Sequence, residues 1–190
     1  VSPPAEALEP GDLILTSGMV AAGLRESVGH GETVLRDASG ALISFTSRMD
    51  QGALLHDVAA FTSSLTRSGH YIVLRLRKGL DPEQVRRAEA IAREMIEENR
   101  RWAERVNRRR AAILTRLPLP AAARARLARA LHTSGYDWIG LFMGRLADGR
   151  WTCIGACLEL YRRLGVETAA YGTGLLGFGT TLFDPIMPVR

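Results

Sequence analysis

RWTCIGACLELYRRLG, residues 150–165, places a cysteine where a strand or turn runs into an amphipathic helix. Cys153 opens that helix after Trp151 and Thr152, and Cys157 lies one turn further in, on the same side. Helical i,i+4 geometry is poor for a disulfide, so both read as thiols. The start of a helix offers unpaired amides and a partial positive charge, which favour a thiolate. Cys153 is therefore the candidate nucleophile, and Cys157 reads as packing. The Cys-x-x-x-Cys spacing and the want of a convincing fourth ligand argue against a metal site, and no metal or cofactor is expected.

Around this segment, 190 residues with 46% hydrophobic and 24% charged side chains suit one globular domain spanning residues 1–190, with no need of disulfides. The formal net charge is +5, and arginine supplies nearly all the positive charge because Lys78 is the single lysine. A basic balance bears on association with nucleic acid, anionic lipid or acidic polymers rather than on fold. No apolar run reaches the roughly 18 to 20 residues of a membrane span. The Pro-rich lead-in VSPPAEALEP, residues 1–10, lacks the pattern of a signal peptide.

The order of elements predicts an α+β fold. GDLILT reads as a buried strand, SGMVAAGLRESVG as a loop or short helical turn, and HGETVLRD and ALISFT as a hairpin about DASG. QGALLHDVAAFTSS reads as a loop with a short helix, and HYIVLRLR as a further strand. From Asp81 the pattern becomes helical: Asp81 can cap, Pro82 suits the first position, and Val85, Ala88, Ile91, Ala92, Met95 and Ile96 recur at helical spacing. Leu-Pro-Leu-Pro at 117–120 breaks the helix, AAARARLARALH resumes it, and Ser134-Gly135 ends it. YDWIGLFMGRL precedes the cysteine helix, and the tail GTGLLGFGTTLFDPIMPVR is Gly-rich and turn-rich, with a cover over the site as one use for it.

A cysteine nucleophile needs a base. His30 begins a strand between Gly29 and Gly31, where the missing side chains leave room for a substrate or a helix to approach. Glu32, two residues along, points to the same face; it can hydrogen-bond the imidazole and raise its basicity, bind a cationic substrate group, or stand as a solvated strand residue. His56, His70 and His132 read as structural, with His70 in reserve.

The succession GDLIL, GHGETVL, ALISF, a long helix, YDWIG and WTCIGACLELYRRLG resembles the circularly permuted papain-like hydrolases of the NlpC superfamily, the YiiX-like group, over residues 11 to 165. The resemblance implies a small antiparallel sheet or barrel packed against helices, elaborated here by the Arg-rich segment 81–132. It also implies Cys153 as nucleophile, His30 as general base, Ser44 as the third, orienting residue and Tyr136 as a wall of the substrate cleft. Gly11 and Asp12 match the opening motif and read as turn chemistry. Ile154 stands where a serine is usual, and Glu32 where a small or apolar residue is expected. The implied activity is amide hydrolysis through a thioester, most naturally on a peptidoglycan peptide, with a cell-envelope, periplasmic or secreted location if so. A lipid acyl hydrolase or acyltransferase and a degenerate binding protein are the alternatives. As partners, an anionic membrane surface fits the arginine-rich helices better than nucleic acid does, because glutamates intersperse the first of them.

Overall fold

A computed structural model describes residues 7–17, 28–58, 71–137, 149–166 and 183–187. Six strands form one sheet: β1 (Leu13–Ser17), β2 (Val28–Arg36), β3 (Leu42–Arg48), β4 (Gly52–Asp57), β5 (Tyr71–Leu76) and β6 (Phe183–Met187). Their order is β4-β3-β2-β1-β5-β6, and every neighbouring pair is antiparallel. The described helices are α1 (Pro82–Thr115), α2 (Ala121–Ala130) and α3 (Cys153–Arg163). The fold is a mixed α+β arrangement with an antiparallel sheet, and the described strands form an open sheet rather than a closed barrel.

Strand alternation sorts the apolar residues onto two faces. On one face Leu35, Phe45 and Ala53 meet Ala88, Ile91, Ala92 and Met95 of α1 and Trp151, Ala156 and Leu160 on and beside α3. On the same face Leu13, Leu15, Leu74 and Leu76 pack against Cys157, Leu158 and Tyr161 of α3. On the opposite face Ile14, Val34 and Val73 gather with Leu8 and Val58.

Helix α1 starts where Asp81 and Pro82 lead one to expect it. The Asp81 carboxylate accepts from the Gln84 amide at 2.8 Å while the Gln84 side chain accepts from the Asp81 amide at 2.9 Å, a reciprocal cap. Gln84 also donates to the Leu164 carbonyl at 2.9 Å, and Arg163 pairs with Glu98, so α1 and α3 are tied at both levels.

Two segments differ from the sequence reading. GALLHD, expected in a loop, is strand β4, whose buried start lies under α1 and whose Ala53 amide is taken by Asn99 at 2.9 Å. FDPIM, expected in a turn-rich tail, is β6, paired to β5 with Leu74 opposite Pro185; proline is tolerated there because β6 is an edge strand. Most of SGMVAAGLRESVG, the stretch 59–64, His70, the segment after Asp137 up to residue 148, and tail residues 167–182 and 188–190 lie outside the described residues.

Candidate functional site

Cys153 is the first residue of α3. Thr152 is extended and its hydroxyl accepts from the Gly155 amide at 2.9 Å, while its carbonyl takes the Ala156 amide. The amides of Cys153 and Ile154 stand at the open end of the helix, beside the thiol. This end sits against β2 because Gly31 has no side chain: a Cβ there would lie 2.3 Å from Ile154 Cδ1 and 3.1 Å from Leu15 Cδ2. The room expected next to His30 is thus occupied by a helix, and Ile154 is the residue that fills it.

Across that contact Cys153 and His30 share a side-chain hydrogen bond. The His30 Nε2 is 2.9 Å from Glu32 Oε1. Burial disfavours the imidazolium, yet the hydrogen bonds to Cys153 and Glu32, with their charges, outweigh it and raise His30 to about 9. Burial likewise opposes ionisation of Cys153, but the hydrogen bond and charge of His30, a Gly31 backbone bond and the Tyr136 hydroxyl hold it below the ordinary thiol range. Both directions favour the charged pair, thiolate with imidazolium, over the neutral one. Cys157 is the opposite case, fully buried in the α3 core and pushed far up by that burial.

Glu32 is buried to 0% exposure, and both its oxygens are engaged. Oε1 takes His30, while Oε2 accepts from Ser44 Oγ at 2.6 Å and lies 2.7 Å from His56 Nε2. Burial alone raises a carboxyl group, but the two imidazoles hold Glu32 below its usual range. Of the settings expected for Glu32, the hydrogen bond to the imidazole is the one the geometry shows, and Ser44, expected as the orienting residue, donates to Glu32. The arrangement has a simple cause: residues two apart on one strand meet directly, whereas Ser44 comes from β3, where it stands opposite Val34. His56, read as structural, is the partner that the sequence reasoning missed. Ser44 and His56 are direct cross-strand neighbours, so recognising β4 as a strand is the signal that would have found it.

Tyr136 is brought in by backbone pairing. It forms a parallel bridge with Trp151, the Asp137 amide donates to the Trp151 carbonyl at 3.2 Å, and Ser47 Oγ donates to the same carbonyl at 3.0 Å. Its hydroxyl then lies 3.9 Å from Cys153 Sγ. The approach to this bridge is fixed by Asn99, a buried side chain that donates to the carbonyls of Gly135 and Gly149, each at 2.9 Å. Gly135 has φ +99° and a Cβ there would strike the Asn99 amide, so glycine is required where the chain passes over α1. Beside Tyr136 opens a cavity of about 300 Å³, with Trp102, Met49 and Leu131 as apolar wall and Arg110, Arg150 and Asp137 as charged wall. Arg150 lies 5.5 Å over the Trp102 ring and 3.5 Å from Asp137.

Gly11 and Asp12 form the expected turn. Asp12 accepts from the Glu9 amide and receives Arg75 in a two-pronged contact at 2.9 and 2.8 Å, and the Gly11 carbonyl accepts from Tyr161. Among the described residues no group of three or more His, Cys, Asp or Glu side chains is arranged to hold a metal ion, and no helix is long and apolar enough to cross a membrane.

No family model matches the sequence, and no curated protein matches it. Among solved structures, the chain is similar to the crystal structure of the metalloprotein yiiX from Escherichia coli O157:H7 (DUF1105), with a TM-score of 0.44 and 13% sequence identity, covering 82% of this chain and 66% of that one. The present chain therefore spans just under two thirds of that neighbour's length. Likeness at this level assigns neither a family nor a reaction, and the chemistry has to be argued from the residues of this chain.

Proposed function

We propose that the protein is a thiol hydrolase that cleaves an amide bond through a thioester on Cys153. The observation that carries this reading is the Cys153–His30 hydrogen bond at the start of α3, with each group shifted toward its charged form and Glu32 behind the imidazole. A buried pair biased toward thiolate and imidazolium contributes nothing needed by packing, and that bias is what a cysteine nucleophile requires.

In the proposed reaction the Cys153 thiolate attacks the carbonyl carbon, forming the C–S bond and moving the carbonyl π electrons onto oxygen. The Cys153 and Ile154 amides at the helix start face that oxyanion. His30 gives its proton to the departing amine, the C–N bond breaks, and the acyl group remains on sulfur. His30, now neutral, takes a proton from water as the hydroxide adds to the thioester. Collapse returns the carboxylic acid and the thiolate, with the proton on His30. Glu32 holds the ring and stabilises its charged form throughout, and Tyr136 donates toward the sulfur.

The cavity beside Tyr136 supports a peptide-like substrate. Its apolar wall of Trp102, Met49 and Leu131 next to the guanidinium groups of Arg110 and Arg150 suits a side chain or terminus bearing a carboxylate. A peptidoglycan peptide is the substrate class implied by the resemblance of the motifs. The test is incubation with muropeptides and, in a parallel arm, with acyl lipids, followed by mass spectrometry of the protein. The expected result is amide release with an acyl mass on Cys153, both absent in Cys153→Ala. Turnover that survives Cys153→Ala refutes the mechanism, and acylation from lipids alone moves the substrate class to esters.

A further inference from the structure

Charge is distributed unevenly along α1 and α2. From Pro82 to Glu104 the helix carries five arginines and six glutamates, several locked in pairs such as Arg86–Glu83, Arg93–Glu89 and Arg100–Glu97. Beyond Glu104 the pattern changes. The stretch from Arg105 to Tyr136 holds eight arginines and no Asp or Glu, while the rest of the chain is net acidic. These arginines lie on the second half of α1, the Pro-rich turn and α2, which together form a helical hairpin.

The same hairpin holds most of the large apolar side chains that the described residues leave in water. Of the five large hydrophobic residues exposed among the described residues, four belong to it: Ile113, Leu117, Leu127 and Leu131. Ile113 lies in the last turn of α1 and Leu117 in the turn just beyond it, while Leu127 lies on α2 and Leu131 directly follows its last residue, so the four cluster about the turn and the far end of the hairpin. Helix α2 buries none of its 10 residues, and a helix so short gains little from propensity alone. The hairpin base is nonetheless fastened: Asn107 exchanges two hydrogen bonds with Thr133, and Arg110 donates to the Leu131 carbonyl. A fixed base with an uncovered, cationic and apolar outer part describes a docking element.

We infer that the α1–α2 hairpin docks on an anionic phospholipid surface, with Leu127, Leu131, Ile113 and Leu117 entering the headgroup region and the arginines pairing with lipid phosphates. Arginine stems can lie along the apolar boundary while their guanidinium groups reach outward. Nucleic acid would satisfy the charge and leave the leucines in water, and the hairpin offers no Phe, Tyr or Trp between Trp102 and Tyr136 on which bases could stack. The inference does not depend on the chemistry proposed for Cys153. If both hold, docking brings the cavity at the hairpin base, with Tyr136 on its wall, close to the bilayer.

The full chain is tested by flotation with vesicles of phosphatidylcholine alone and of phosphatidylcholine with phosphatidylglycerol, and by competition with a duplex oligonucleotide. Binding is expected on the anionic vesicles only, weakening as salt rises. R124Q/R126Q/R129Q, all on α2, should lose affinity by about two orders of magnitude. L127A/L131A should lose about tenfold at unchanged charge. Circular dichroism identical to the parent checks that both variants are folded, and Cys153→Ala should bind as the parent does. Equal partition onto neutral and anionic vesicles, or affinity untouched by the arginine changes, overturns the inference. So does tighter binding to the oligonucleotide that is indifferent to L127A/L131A, which would assign the hairpin to nucleic acid.

Discussion

Against burial, His30 is raised by its hydrogen bond to Cys153 and, next to that, by its hydrogen bond to Glu32. In the proposed reaction the active form needs a thiolate and a protonated imidazole together, so the rate rises as the thiol ionises and falls once His30 loses its proton near pH 9. Glu32→Gln keeps the shape of the side chain and removes the charge that favours the imidazolium. The descending limb of the pH–rate profile should then move from about 9 toward the ordinary histidine value of 6.5. His56→Gln should shift the limb less, because the contact of His56 is with Glu32, on the oxygen that does not take His30. An unmoved limb in Glu32→Gln would show that the carboxylate has no hold on the base. The thiols give a second reading at this scale. At pH 7 Cys153 should alkylate with iodoacetamide about tenfold or more faster than Cys157, and His30→Ala should remove the difference; peptide mapping of the labelled protein measures it. The pairing of Glu32 with His30 is legible in the sequence because alternation along a strand puts them on one face. The burial that withdraws Glu32 from substrate is not, since it depends on Ser44 and His56 arriving from two other strands in a register that no local pattern specifies.

The elements that read clearly are those whose signals are local. Helix α1 announces itself through Asp81, Pro82 and a periodic apolar stripe, and α3 through the amphipathic run that opens after Trp151 and Thr152. Strand β4 hides because its buried and exposed positions do not alternate, its start being covered by α1. Asn99 makes this covering possible: one side chain on α1 satisfies the Ala53 amide and the carbonyls of Gly135 and Gly149. In sequence it is one polar residue on an apolar stripe, and its meaning appears only when three distant segments converge on it. Asn99→Ala would strand three backbone groups in a buried place, and a loss of about 3 kcal/mol is expected in urea denaturation. Because those groups lead to Tyr136 and Trp151, Cys153 alkylation should also slow in this variant under conditions where it is still folded. A destabilised protein with parental Cys153 reactivity would separate Asn99 from the site.

At the scale of the whole molecule, arginine stands in two opposite settings, and composition alone cannot distinguish them. Arg75 is structural. It binds both oxygens of Asp12, which is 1% exposed, and also reaches Glu9 and the Ala7 carbonyl, so that the segment before β1 is fastened onto β5. Removing it leaves a buried carboxylate without its cation, and Arg75→Gln should cost about 3 kcal/mol or more. The arginines of α2 occupy a helix with no buried residue and, among the described residues, take part in no ion pair. Three Arg→Gln changes there should alter stability by no more than about 0.5 kcal/mol in total, within the range of ordinary surface substitutions. Urea denaturation of the two variants at one pH and salt concentration makes the comparison. Similar midpoints would mean that the Arg75 network contributes nothing, and a large loss from the α2 changes would mean that the hairpin is held to the body by contacts its exposure does not suggest. The expected contrast keeps the cationic hairpin free to serve association while the acidic remainder of the chain carries the fold.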